Sequence, residues 1–316
     1  MNDSRNELLA VRAAELYYEE NKTQDEVGAI LHVTRWKVGR LLAQAREEGI
    51  VRIEIVHPRA RKLGLERDLI ARFGLADAIV VPSPDVEGDL QAAVGIAAAN
   101  YLVSLRPVPR VLGISWGRTM YQIARALPEG WAIGVNVVQI NGGVSLSRRN
   151  DTAAATAMAI AEKASGHATL LPSPAIFERR ETKQAMEQDR IVGGCLREAA
   201  KATAYMYSAG PADPSSIHVE SGYITPEQIE TLVGQGAVGD VIGRYIDKDG
   251  RIADYELDSR TLGLGLEQLR AAENAIFVVA GTAKHAVARA IVRNGLCTTI
   301  ITDERTARSI LGEDES

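Results

Sequence analysis

A chain of 316 residues exceeds what one ordinary core needs. Its 46% hydrophobic and 24% charged residues are the usage of folded globular domains, which excludes extended disorder and collagen-like repeats. A net charge of −5 excludes a protein that coats nucleic acid over its whole surface, yet residues 1–62 hold 11 Lys/Arg against 10 Asp/Glu, so any nucleic-acid surface must be local.

From Glu7 to Tyr18 the apolar positions Leu8, Leu9, Val11, Ala13, Leu16 and Tyr17 follow a helical period that Asn21-Lys22 ends. Thr23 stands three residues before Glu26, a capping box that opens a short helix to about residue 31, with Val27, Ile30 and Leu31 on its apolar face. Thr34 can cap a third helix that runs to Glu48, where Gly49 stops it. A short helix, a tight turn and a longer helix with basic residues in its first two turns form a helix-turn-helix, whose second helix enters the major groove. Thr34, Arg35, Trp36, Lys37 and Arg40 are then the candidate DNA-binding residues, while Val38, Leu41 and Leu42 pack inward. Trp36 alone is open between half-buried packing and DNA contact. Residues 49–57 alternate as a strand, a candidate wing, and Arg59 to Phe73 is a basic helical segment whose Leu63, Leu69, Ile70 and Phe73 could pack on another subunit. The expected organisation is a helix-turn-helix domain over 1–57, a linker and oligomerisation helix over 58–75, and an effector-binding domain over 76–316.

Beyond residue 75, short β-rich runs alternate with helical patterns, which predicts an α/β domain whose mostly parallel sheet has helices on both faces. Strands are expected near 78–81, 110–114, 134–140, 168–171, 203–208, 275–280 and 298–302. Helices are expected over 89–104, 119–127, 152–165, 181–199, 226–234, 283–294 and 304–311. Ligands on such sheets sit at the carboxyl ends of the strands, so the turns after them carry the functional reading. Gly113-Ile114-Ser115-Trp116-Gly117-Arg118-Thr119 brings flexible backbone, a helix N-terminus and a forked cation together, which suits a phosphate or is a plain β–α turn. Gln139-Ile140-Asn141-Gly142-Gly143, Pro172-Ser173-Pro174, Ser208-Ala209-Gly210 and Ala280-Gly281-Thr282-Ala283-Lys284 are weaker singly and carry weight only by converging. Gly236-Ala237-Val238-Gly239-Asp240 places a carboxylate in a glycine-rich stretch, either for sugar hydroxyls or as an ordinary turn.

No G-x-S-x-G, H-E-x-x-H or complete Walker A pattern is present, and no GxGxxG stands between a strand and a helix, so no catalytic residue is assigned. His32, His57, His167, His218 and His285 are scattered and read as surface or packing residues; Cys195 and Cys297 lie in no metal-ligand or disulfide spacing. No metal and no cofactor is expected. The N-terminus lacks a signal-peptide pattern and no run approaches about 18 apolar residues, so a cytoplasmic chain without a membrane partner is expected.

Taken together, these stretches resemble the SorC family of sugar-binding bacterial transcription regulators over essentially the whole length. The resemblance lies in residues 23–27, 34–42 and 49–53, in GISWGRT (113–119), QINGG (139–143), GAVGDV (236–241), VVAGTAKHAVARAI (278–291) and ITDE (301–304). It implies a regulator of a carbohydrate operon with operator DNA and a small phosphorylated sugar as partners, a homo-oligomer that is commonly a tetramer, and a sensor fold related to ribose-phosphate isomerases, glucosamine-phosphate deaminases and CoA transferases. Carried onto this chain, Gly117, Arg118 and Thr119 hold the phosphate, with Ser115 on the same turn. Asn141 and Gly142 line the sugar, Asp240 binds a hydroxyl and Lys284 neutralises the anion. The competing expectation is a sugar-phosphate enzyme with an accessory N-terminal domain; a third is a sugar-binding protein without DNA activity.

Overall fold

The computed structural model describes residues 2–51, 61–84, 86–143 and 153–313. The chain divides into two compact units, Met1–His57 and Pro58–Ser316.

In the first unit, helix α1 (Asn2–Ala14) runs into a π-helical turn, Glu15–Glu19, followed by α2 (Gln24–Leu31) and α3 (Arg35–Glu47). The α2 start is the expected capping box: Thr23 Oγ1 accepts from the Glu26 amide at 3.3 Å and the Glu26 carboxylate accepts from the Thr23 amide at 2.8 Å. Gly28 permits the turn into α3, because a Cβ there would lie 2.8 Å from the Val33 carbonyl oxygen. Thr34 caps α3 through the Lys37 amide. Ala10, Ala13 and Leu16 close a small core with Val27, Val38, Leu41, Leu42 and Ala45. Most of the strand expected at 49–57, and residues 59–60 of the basic segment, lie outside the described residues; residues 49–51 form a turn and bends.

Among the described residues the second unit carries ten strands. Seven, β1 (Asp77–Val81), β2 (Val111–Ile114), β3 (Asn136–Gln139), β4 (His167–Thr169), β5 (Ala204–Tyr207), β9 (Asn274–Val278) and β10 (Thr299–Asp303), form one parallel sheet in the order β1-β10-β9-β5-β2-β3-β4. All seven fall where sequence patterning places them. Their side chains alternate between two cores, with Tyr205, Tyr207 and Phe277 on one face and Ala204, Met206, Ile276 and Val278 on the other. The remaining strands, β6 (Ala209–Pro211), β7 (Ala237–Val241) and β8 (Arg244–Asp247), make a small antiparallel sheet that the sequence reading missed. The stretch around Asp240, read as a glycine-rich turn, is therefore strand β7. The helix expected over 181–199 is two helices, Arg180–Gln188 and Arg190–Ala199, because Asp189 turns the chain and caps the second through the Ile191 and Val192 amides.

Helix α4 (Leu63–Phe73) corrects one expectation. Leu69 is fully buried in the core of its own domain, with Ile70 and Phe73 packed against that core, so Leu69 cannot meet another subunit; Leu63 stays 59% exposed. The buried Glu66 carboxylate anchors α4, accepting from Arg61 Nε and Nη2 at 2.7 and 2.8 Å and from the buried Val80 amide at 2.9 Å. Glu66→Ala orphans that amide and is expected to cost about 1–3 kcal/mol. Glu66→Gln, which keeps an acceptor oxygen, should recover part of the loss. Urea unfolding of the full chain followed by circular dichroism checks this, and equal stability of the alanine variant and the wild type would show that the clamp carries no load.

Candidate functional site

The strand order reverses at β2, whose neighbours are β3 on one side and β5 on the other. The carboxyl ends of β2 and β5 stay paired there through the Ser115 amide to the Met206 carbonyl at 3.1 Å, and the Ser208 amide donates to Ser115 Oγ at 3.3 Å. A cavity of about 550 Å³ opens at this edge, walled by the turns after β1, β2, β3, β5, β9 and β10 and roofed by residues of the small sheet. Ser115, Gly117, Arg118, Thr119, Asn141, Asp240 and Lys284 all line it. Four of the five turns singled out in sequence thus converge on one place.

Two helices begin at this wall behind positive-φ glycines. Gly117 (φ 128°) precedes helix α6 (Arg118–Ala126), and Gly281 (φ 96°) precedes a short 3-10 turn, Thr282–Lys284, that continues into His285–Arg293. Such glycines let backbone amides face a ligand, and the first amides of α6 lack intrahelical acceptors. Arg118 and Lys284 add positive charge at the same wall, with Arg118 exposed and Lys284 half-buried. Thr119 is held in a hydroxyl chain, accepting from Ser208 Oγ and donating to Gln91 Oε1, both at 3.4 Å.

The opposite chemistry comes from two buried acceptors. Asp240 is 6% exposed: Oδ2 accepts the Gly243 amide at 2.9 Å, while Oδ1 has no hydrogen-bond partner among the described residues. Asn141 is 4% exposed and its Oδ1 is likewise unsatisfied. Buried oxygens of this kind are costly unless something donates to them, so the two are open acceptors for a donor that enters the cavity. Asp303 also lines the cavity but is saturated, accepting from Ser83 Oγ, the Gly281 amide and both the amide and hydroxyl of Thr306, so it fixes the turns rather than reading a ligand.

Gly142 is placed behind the cavity wall, not in it. A Cβ there would lie 2.1 Å from the Pro174 carbonyl oxygen, and its own carbonyl accepts from Trp116 Nε1 at 2.9 Å. Gly143 leaves room for that indole, since a Cβ would come 2.6 Å from Trp116 Nε1. The glycine pair and the Pro172-Ser173-Pro174 turn therefore seat Trp116, which lines the cavity. His218, read from sequence as surface or packing, is also a wall residue, as are Gln91 and Arg305. No local pattern marks His218, because Tyr245, which holds its Nδ1, arrives from β8.

In the first unit, the cap Thr34 and Arg35, Trp36 and Arg40 on α3 are exposed, and Trp36, at 85%, is not part of the core among the described residues. That decides the ambiguity against packing. Lys37 is half-buried, its Nζ donating to Asn6 Oδ1 at 3.3 Å.

Residues 57–312 match the family model described as "Putative sugar-binding domain". The chain is 31% identical over 313 residues to the deoxyribonucleoside regulator of Bacillus subtilis, covering 98% of this chain and 99% of that protein. It is 28% identical over 319 residues to the sorbitol operon regulator of Klebsiella pneumoniae, covering 98% of this chain and all of the other. The crystal structure of full-length sorbitol operon regulator SorC from that organism superposes with a TM-score of 0.73 at 26% identity, over 96% of this chain and 98% of the other.

Proposed function

The chain belongs to the SorC family of sugar-binding transcriptional regulators, and from that premise we propose that its effector is a small phosphorylated sugar or polyol bound at the β2/β5 crevice. The relatives matched along their whole length are regulators rather than enzymes, so this chain is a transcriptional regulator of a sugar-related operon and not the sugar-phosphate enzyme that the sequence left as a competitor. The observation that carries the effector reading is the pairing, in one cavity, of two glycine-fronted helix starts bearing Arg118 and Lys284 with the unsatisfied oxygens of Asn141 and Asp240. The first set suits a phosphate and the second suits hydroxyl groups.

In the same reading, Thr34, Arg35, Trp36, Lys37 and Arg40 meet operator DNA, with paired heads on a homo-oligomer, because one three-helix head touches few phosphates. The relation of the sensor to isomerase, deaminase and CoA-transferase folds and a cytoplasmic location complete it; among the described residues no helix is long and apolar enough to cross a membrane. Thermal unfolding of the full chain against matched pairs of phosphorylated and neutral sugars and polyols tests the effector, since a ligand of the native state raises its apparent stability. A rise with the phosphorylated member of a pair is expected. A rise with neutral members alone would replace the phosphate by an unphosphorylated sugar read through Asn141 and Asp240.

A further inference from the structure

His218 sits in the cavity wall at 2% exposure, on the short helix Ile217–Glu220 that Ser216 caps. Its ring is held edge-on against Trp116, Tyr223 and Tyr245, at centroid distances of 6.2, 6.3 and 5.8 Å. Nδ1 lies 3.2 Å from the Tyr245 hydroxyl, which lies 3.2 Å from Ser216 Oγ, and Ser216 Oγ accepts the His218 amide at 3.2 Å. A ring so confined on three sides, with one nitrogen tied, has little freedom to turn.

The protons in this chain can be assigned by counting. Ser216 Oγ already accepts a backbone amide, and among the described residues the Tyr245 oxygen is the acceptor for its own hydrogen. Tyr245 then donates to Nδ1, and the neutral imidazole carries its proton on Nε2. In the reverse arrangement, with Nδ1 donating to Tyr245 and Tyr245 to Ser216, the Ser216 hydrogen has no acceptor among the described residues. Burial, and then the charge of Asp240, push the Tyr245 phenol above its ordinary range, which keeps it a donor.

Nε2 makes no hydrogen bond among the described residues, and Gly243 leaves it open, since a Cβ on that glycine would stand 3.9 Å from it. Nδ1 is 3.9 Å from Asp240 Oδ1, the buried oxygen without a partner. One cavity is thus lined by a residue with a donor, His218 through Nε2, and by a residue with an acceptor, Asp240 through Oδ1, the two kinds of group that sugar hydroxyls need. We propose that His218 is an effector-reading residue, whose Nε2–H donates to an effector hydroxyl while Asp240 accepts a hydroxyl proton, so that the pair selects a ligand oxygenated at that position over its deoxy counterpart. This rests on the reading of the cavity as the effector site, and adds to it a specificity determinant. Sites built to bond a hydroxyl reject the analogue that lacks it, because their own polar groups are then left unpaired.

The test uses the full chain. Phosphorylated pentoses, hexoses and tetritols, with inorganic phosphate as reference, are titrated by calorimetry into wild type, His218→Phe and His218→Gln; monodeoxy analogues of the best ligand then locate the hydroxyl. Wild type is expected to lose about 10- to 100-fold in affinity at one hydroxyl position. His218→Phe should show a similar loss on the parent ligand and indifference to removal of that hydroxyl, while binding inorganic phosphate as wild type does. His218→Gln, whose amide N–H reaches toward the same place, should recover part. Nitrogen NMR of histidine-labelled wild type supplies an arm that needs no variant: Nε2 protonated, Nδ1 not, and an Nε2 resonance that moves with the sugar phosphate but not with inorganic phosphate. If neither inorganic phosphate nor any sugar phosphate binds wild type, the effector reading itself fails. If sugar phosphates bind but both variants keep full hydroxyl discrimination, or the proton resides on Nδ1, the effector reading stands and the role of His218 is overturned.

Discussion

Lys284→Met should lower the affinity for a phosphorylated effector by about 10- to 100-fold and leave the neutral parent sugar nearly untouched. The methionine keeps most of the aliphatic stem, so the wall is still filled and only the charge is lost; a hydrogen bond to a charged group contributes about 1.5–3 kcal/mol. Arg118→Ala is the companion. Arg118 is exposed where Lys284 is half-buried, so its charge is screened more fully at physiological salt and its removal should cost less there. Lowering the ionic strength should narrow the gap between the two variants. Both residues lie in the second unit, so operator affinity without effector should persist, whereas the effector response should collapse, because a ligand shifts an equilibrium only by its differential affinity for the two states. Calorimetry with a matched pair of phosphorylated and neutral ligands reads all of this. Equal affinity for the pair in wild type, unchanged in both variants, would remove the phosphate from the site.

How much of this was legible in the sequence depends on whether each signal is local. Six of the seven strands of the parallel sheet are largely buried and read as short apolar runs between helical patterns, so each announces itself within a few residues, while edge strand β4 is part-exposed. Arg118 and Lys284 were found for the same reason: both stand a few residues past such a run, where an open sheet binds ligands. The small sheet carries no such signal. Strand β6 is Ala209-Gly210-Pro211 and β7 holds Gly239, compositions that read as loop, and their pairing joins residues about thirty apart in sequence. Asp240 is therefore legible as a candidate residue but not as part of a strand, and His218 is not legible, because Tyr245, which orients it, comes from β8. Gly142 shows the converse error. A glycine after a strand was read as space for a ligand, but the space is filled by the Pro174 backbone and the neighbouring indole. The break at Asp189 was hidden because an aspartate inside a helical period is as compatible with an exposed face as with a cap.

Arg35→Ala and Arg40→Ala should each weaken operator binding, and the form of the loss identifies the contact. A side chain bonded to a base edge costs about 1–3 kcal/mol on the cognate site and relaxes preference at one base pair; one bonded to a phosphate weakens all sequences alike and lowers the salt slope by about one. Both guanidinium groups are exposed on α3, and the Asp25 carboxylate, 3.7 Å from Arg35, is itself exposed, a pair too weak to hold the arginine from DNA. Lys37→Ala should cost less than either, because its Nζ already reaches Asn6 on α1. Trp36→Ala is the sharpest case: an indole 85% exposed contributes nothing to the core of its domain, so the variant should unfold at the wild-type temperature and still lose operator affinity. An apolar contact with thymine methyl groups is the groove feature that such a side chain fits, so replacing thymine by uracil in the operator should reproduce part of the loss in wild type and none in Trp36→Ala. The measurement is fluorescence anisotropy over a salt series, on a duplex selected from a randomised pool with the wild-type protein. Unchanged affinity in the Arg35, Arg40 and Trp36 variants together would mean that α3 is not the helix that enters the groove.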